Sequence, residues 1–407
     1  MLAFLRENLR WVTGGFLLTL FSSFGQTFFI SLSAGNIRAE YGLSHGGFGT
    51  LYMVATLASA MCLPQVGRLV DRWSVVGTVW LTVALLALAC LGMAWSTSLA
   101  ALALTIFLLR LFGQGMMSHI AFTAMGKWFA AQRGRAVSVT AIGVNLGEAA
   151  FPFLFVIAAA AFGWRQTWIA AAAALVFLAL PAIHLLMRVE RRPRTGDGPQ
   201  RWRSGPDWTR AQTLRDPLFY LMMVGVLAPP FIGTTVFFHQ VYLVELRGWS
   251  LQAFAASFML MSACVVAFAL VTGWLVDRFS AVRVLPVYLL PLAAACFVLG
   301  LFDGQWAAFA FMGLLGVSYG FSTTLFGALW PEVYGTAHLG AIRSMIVAAM
   351  VLATAIGPGM TGYLIDLGVS YPLQIVVMGL WCVGGAVAMA FASRAVQARD
   401  ELAARTA

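Results

Sequence analysis

Six residues of this chain, Gly67-Arg68-Leu69-Val70-Asp71-Arg72, return 206 positions later as Gly273-Trp274-Leu275-Val276-Asp277-Arg278. The same offset carries Tyr41-Gly42-Leu43-Ser44 onto Arg247-Gly248-Trp249-Ser250, Gly134 onto Gly340 and Pro152 onto Pro358. One offset shared by four separated landmarks requires two copies of one unit. The period is far longer than the roughly 20–50 residues of a solenoid repeat. Any fold for this chain must therefore be pseudo-symmetric about its middle.

The solvent of the two copies follows from their charge. Hydrophobic residues make up 61% of the 407 and charged residues only 10%, whereas roughly a quarter of a soluble domain is charged. Such a chain cannot cover itself with hydrated groups, so its main solvent is lipid. Each helical crossing needs about 20 mostly apolar residues. Runs of that kind lie near 11–34, 47–66, 75–95, 99–121, 136–161 and 166–187, then near 217–243, 251–272, 283–301, 305–330, 341–365 and 371–393. The expected fold class is all-α and integral to the membrane, with twelve transmembrane helices in two pseudo-symmetric six-helix bundles. The expected domains are an N-terminal bundle at 1–188, a polar linker at 189–215, a C-terminal bundle at 216–394 and a tail at 395–407. A duplicated membrane unit of this size is a transporter architecture.

A net charge of +10 would suit nucleic acid if the charges formed a stripe, but they lie in short connections between apolar runs. With the N-terminus inside, cytoplasmic segments hold 21 of the 25 Lys and Arg residues; Arg38, Arg165 and Arg247 fall outside and Arg110 within a span. The positive-inside bias then puts both termini in the cytoplasm, here of a bacterial inner membrane, and no nucleic-acid partner is expected. The basic start (Arg6, Arg10) precedes a long apolar run without a small-residue cleavage pattern, which reads as a first transmembrane helix. Five cysteines sit in apolar runs with neither metal spacing nor a disulfide framework. No Gly-x-x-x-x-Gly-Lys-[Ser/Thr] phosphate loop occurs. Neither a cofactor, a metal nor an enzymatic activity is expected.

Two six-helix halves joined by a basic loop, with Gly67, Leu69, Asp71 and Arg72 matched by Gly273, Leu275, Asp277 and Arg278, resemble the major facilitator superfamily. Arg110, followed by Gly113-Gln114-Gly115, resembles that superfamily's fourth-helix motif. The Ser-Phe-Gly-Gln stretch ending at Gln26 loosely resembles oxalate/formate and monocarboxylate carriers. The resemblance implies transport of a small molecule by alternating access, a cavity lined by the first, fourth, seventh and tenth helices, and a cytoplasmic gating motif at Gly67, Asp71, Arg72, Gly273, Asp277 and Arg278. Physically, a glycine lets the chain turn out of one helix, and the aspartate can cap the next helix or pair with a nearby arginine. The fifth span departs from the superfamily's antiporter motif. It reads Gly143-Val144-Asn145-Leu146-Gly147-Glu148 and lacks the proline and the trailing glycine pair, which counts against a proton-driven drug exporter. Gly357-Pro358-Gly359 with Gly362 suits a flexible gating helix.

Arg110 and Glu148 are the deepest charges, about eleven and twelve residues into antiparallel neighbouring spans, so they could meet near the midplane. Insertion of one such charge costs roughly 2.5–3.5 kcal/mol. Two roles fit them: Arg110 anchoring an anion with Glu148 as proton carrier, or a buried ion pair that only holds helices together. His239 is a second candidate for substrate or proton binding. His119 and His184 lie nearer the interfaces. Polar positions on the cavity-lining spans add Ser22, Ser23 and Gln26, then Gln114, then Thr235, then Tyr319, Ser322 and Thr323, with Asn145 able to reach the same layer. Arg343 is too shallow for a midplane site. With a single deep cation, a monoanion or zwitterion fits better than a dianion such as oxalate.

The expected function is a monomeric secondary active transporter of a small polar metabolite, an organic monoanion of monocarboxylate type, with proton symport through Glu148 or His239. The alternative is an exporter of amphipathic drugs or other hydrophobic compounds, which the many Phe, Met and Trp residues favour.

Overall fold

The structure, a computed structural model, describes residues 2–129, 133–189, 191, 207–335 and 337–406. Every regular element among them is helical. Ten helices are long and apolar enough to cross a membrane: His45–Gly67, Val75–Trp95, Leu99–Trp128, Arg135–Phe162, Trp164–Met187, Pro217–Phe238, Leu251–Phe279, Trp306–Tyr334, Leu339–Asp366 and Tyr371–Arg399. The first expected span is a pair, Arg6–Gly25 and Thr27–Tyr41, bent by 44°. The ninth is not one helix. Ala281–Val284 and Leu290–Leu301 are separated by turns at 285–289. Pro286 and Pro291 account for this, since each removes a backbone donor and crowds the preceding turn. Large apolar side chains stand exposed along the helices, Phe177 at 80% and Leu270 at 74% among them. A surface so apolar is stable against lipid and not against water.

The chain divides into two compact units. One is Met1–Gln200 with Phe237–Tyr242 and Pro358–Tyr363; the other is Arg201–Val236, Leu243–Gly357 and Leu364–Ala407. Inside the first unit, the first helix packs on the fifth, the second on the fourth and the third on the sixth. Inside the second, the eighth packs on the tenth and the ninth on the twelfth, while Gly357 of the eleventh closes on Thr235 of the seventh. Adding six to each number turns one set of partners into the other, as the sequence repeat demands.

The repeated four-residue signature has a local cause. Gly42 and Gly248 take left-handed backbone, φ 64° and 63°, which ends a helix where a β-carbon would be strained. Two residues on, Ser44 Oγ accepts from Gly47 N at 2.9 Å and Ser250 Oγ from Ala253 N at 3.3 Å, starting the next helix. The position before each glycine reaches across its own half. Tyr41 Oη donates to Ser96 O at 2.7 Å, and Arg247 Nη2 donates to Gly300 O at 3.2 Å, so each ties down the end of the third helix of its half.

The other repeat behaves differently in its two copies. Gly67 ends its helix and lies against the His119 ring, as expected. Gly273 sits inside the uninterrupted helix Leu251–Phe279, and the stop comes at Ser280 with φ 80°. Of the expected linker, residue 190 and residues 192–206 lie outside the described residues, while Trp208 N donates to Tyr334 O at 2.9 Å. The expected tail continues the last helix, which spans Tyr371–Thr406.

Candidate transport site

The first helix stops being a helix at Gln26, whose backbone is extended at φ −83°, ψ 153°. A break inside a bilayer strands carbonyls that lipid cannot satisfy, so a partner must be supplied. That partner is Arg110, whose Nη1 donates to Gly25 O at 3.2 Å and to Thr27 Oγ1 at 3.3 Å. Thr27 Oγ1 also shares a hydrogen bond with Tyr52 Oη at 2.6 Å, and the guanidinium carbon lies 5.4 Å from the Tyr52 ring centre. Arg110 is 3% exposed. At about 1.5 Å per residue it lies near the middle of the roughly 30 Å hydrocarbon layer.

Glycine makes the contact possible. A β-carbon on Gly25 would collide with Leu109 O and stand 2.6 Å from Gly113 Cα; one on Gly113 would stand 2.5 Å from Gly25 Cα. The two helices thus meet backbone to backbone. The fourth helix is π-helical over Leu109–Met117, a conformation that recurs at functional sites.

Magnitudes show why no counter-charge is needed. Two hydrogen bonds from a charged donor contribute about 1.5–3 kcal/mol each and the aromatic contact about 0.5–2 kcal/mol, against an insertion cost of roughly 2.5–3.5 kcal/mol. The expected encounter with Glu148 accordingly does not occur: Glu148 is half-buried and forms no ion pair with Arg110. Only one side of the guanidinium is used. Nε is buried without a partner, and Nη2 makes no hydrogen bond to the described residues. Nε–H and Nη2–H point the same way, along the edge that grips a carboxylate with two parallel bonds.

The remaining sequence candidates lie at this break, elsewhere in the first unit, or in the second unit. Gln26 is the break itself. Gln114 and Asn145 are half-buried and their side chains bond no described residue. Ser22 Oγ bonds Thr19 O, and Ser23 Oγ is buried without a partner. In the second unit, Ser322 Oγ donates to Ser318 O at 2.7 Å, Thr323 Oγ1 to Gly320 O at 3.0 Å and Thr235 Oγ1 to Phe231 O at 2.7 Å, each within its own helix. Tyr319 Oη reaches Pro229 O at 3.4 Å. His239 is buried at an interruption of the seventh helix, with Nε2 3.1 Å from Pro358 O. His184 Nδ1 accepts from Trp80 Nε1 at 3.1 Å. Arg343 is exposed. In the gating motif, Arg72 and Asp277 are exposed and Arg278 lies 5.4 Å from the Trp274 ring centre; the side chain of Asp71 lies outside the described part.

Sequence reasoning missed Thr27 and Tyr52. Thr27 follows the flagged Gln26 directly, but Tyr52 is on the second helix, outside the four expected to line a cavity. It also missed Asp216, buried at the start of the seventh helix. Asp216 Oδ1 caps Leu218 N at 3.0 Å, while Oδ2 accepts from Tyr334 Oη at 3.1 Å and Arg399 Nη1 at 3.2 Å.

A sequence model of the Major Facilitator Superfamily matches residues 15–358. The chain belongs to the Major Facilitator Superfamily. It is therefore a transporter and not an enzyme. No curated protein matches it in sequence. Solved structures of superfamily-like fold include a bacterial homolog of the human lysosomal transporter Spinster, inward-facing and unoccupied (TM-score 0.72, 15% identical, covering 94% of this chain and 96% of that one). A mutant of the nucleoside transporter NupG gives a TM-score of 0.68 at 13% identity, covering 96% and 99%. The inward-open xylose transporter XylE from E. coli gives 0.67 at 15%, covering 93% and 94%. At these identities the likeness is one of fold.

Proposed function

We propose that this superfamily member is a secondary active transporter of a small organic monoanion. It works as a monomer in a bacterial inner membrane, both termini cytoplasmic, by alternating movement of the bundles 1–188 and 216–394. The observation that carries the anion is the unused Nε/Nη2 edge of Arg110, held at mid-depth by bonds from Nη1 alone. A carboxylate on that edge would satisfy a donor that is otherwise costly to bury. Glu148 is the proposed proton carrier for symport: its carboxyl is half-buried on the neighbouring helix and bonds no described residue. Gly67, Asp71, Arg72, Gly273, Asp277 and Arg278 remain the proposed gate, its ion pairs made and broken as the bundles move.

The test is a thermal-stabilisation screen of carboxylates, amino acids and vitamins on purified protein, followed by uptake of each hit into proteoliposomes. A monocarboxylate should stabilise and enter, and Arg110→Gln should lose both while still eluting as a folded monomer. A hit that survives Arg110→Gln overturns the anchor. Glu148→Gln should abolish the dependence of uptake on external pH; an unchanged profile removes Glu148 from coupling.

A second reading, export of amphipathic compounds, is favoured by aromatic rings beside the break. Phe24 lies 5.1 Å from Phe29 and 5.0 Å from Phe151. Resistance profiling in a pump-deficient host separates the two, since export predicts protection against several unrelated amphiphiles.

A further inference from the structure

A second group of basic side chains lies at the end of the first unit where the first and second helices meet, away from the Arg110 break. There Arg38, His45, His239 and Tyr242, backed by Phe48 and Phe238, line a pocket of about 230 Å³ including its open mouth. The His45 ring lies 4.1 Å from Tyr242 and 6.3 Å from His239. Phe48 and Phe238 are stacked at 5.0 Å and close the inner wall.

The charge balance of this pocket is one-sided. Among the described residues its lining holds one permanent guanidinium, two imidazoles and a phenol, with no carboxylate. Arg38 Nε is buried without a partner, and its side chain makes no ion pair with a described residue. The nearest acid along the helix, Glu40, is taken by Arg165. His45 opens the helix His45–Gly67, where the peptide dipoles favour negative charge. The buried Nε–H of half-buried Arg38, beside a helix start, is costly while unbonded, and a small anion in the pocket would satisfy it. The fold does not impose this arrangement, because the repeat carries Val244 and Leu251 at the positions matching Arg38 and His45.

We infer that this pocket is a small-anion site, separate from the Arg110 edge, that binds a halide or a single carboxylate group. The space is narrow and aromatic-walled, which favours one small group over a larger anion. Arg38 supplies the charge and the unbonded Nε–H donor, and the His45 and Tyr242 rings form the wall beside it.

The experiment uses the purified full-length protein in detergent, titrated with sodium chloride or sodium formate at constant ionic strength, a bulky sulfonate making up the balance. The thermal midpoint is followed. The Arg110→Gln protein, in which the mid-depth edge is removed, should still be stabilised saturably by the small anions, and adding Arg38→Gln to that background should weaken the apparent affinity at least ten-fold. Saturation by chloride alone identifies a halide site, and by formate alone or by both a carboxylate-accepting one. Should Arg38→Gln not fold, His45→Leu, the residue of the matching position, should show the same loss. Equal stabilisation by the bulky sulfonate, or undiminished affinity in the Arg38 and His45 variants, overturns the site. Loss in Arg110→Gln with retention in Arg38→Gln also overturns it, and would leave the Arg110 proposal standing.

Discussion

The two halves share helix partners yet use their polar side chains differently. In the first, polar groups bond between helices: Arg110 to Gly25 O and Thr27, Thr27 to Tyr52, and Thr19 Oγ1 to Thr140 O at 2.6 Å. In the second, three of the four candidate hydroxyls turn back on their own helix, Ser322 to Ser318 O, Thr323 to Gly320 O and Thr235 to Phe231 O, while Tyr319 reaches Pro229 O. An interhelical bond holds a geometry that a cargo can read, whereas an intrahelical bond only hides a hydroxyl from lipid. The duplication gave two scaffolds, and one of them carries the deep charge.

Four substitutions test that contrast. Arg110→Ala should have the largest effect. Loss of a buried charged partner costs about 2–5 kcal/mol of binding, so uptake should fall on the order of 100-fold; uptake within a factor of two of wild type would break the comparison. Gly25→Ala should come next, because its β-carbon meets the fourth helix backbone. Overpacking of that kind costs about 1–3 kcal/mol, visible as a lower unfolding temperature together with lost uptake. Asp216→Ala sharpens the contrast from the other side. Tyr334, Arg399 and Leu218 lose their common acceptor, which costs about 1–3 kcal/mol. The unfolding temperature should drop while the substrate concentration for half-maximal uptake stays put. Ser322→Ala should be smallest, within about 0.5 kcal/mol in stability and less than two-fold in uptake, since its hydroxyl serves its own helix. A large transport defect there would move the site into the second half.

Much of the fold was legible in the sequence, because membrane helices announce themselves by composition and the repeat by its constant offset. The break in the ninth span was not legible for a nameable reason: a hydropathy average over the run passes over Pro286 and Pro291, although each interrupts the hydrogen-bond ladder. The second-copy glycine was misjudged because a Gly-x-Leu-x-Asp-Arg segment is compatible with both a turn and a continuing helix, and Gly273 continues. At the site, Arg110 and Gln26 were readable as polar groups inside apolar runs. Their relation to each other was not, and neither was the part played by Tyr52.

Local chemistry along the chain was enough to determine the lipid environment and the four-residue turns at Gly42 and Gly248, because each depends on residues a few positions apart, and the duplication could be read directly from the constant offset of 206 positions. Only the tertiary structure decided that Arg110 bonds the broken first helix and leaves Glu148 alone. That choice depends on how closely Gly25 and Gly113 let two backbones approach. The partners are separated by 85 residues, and no spacing rule reaches across such a distance.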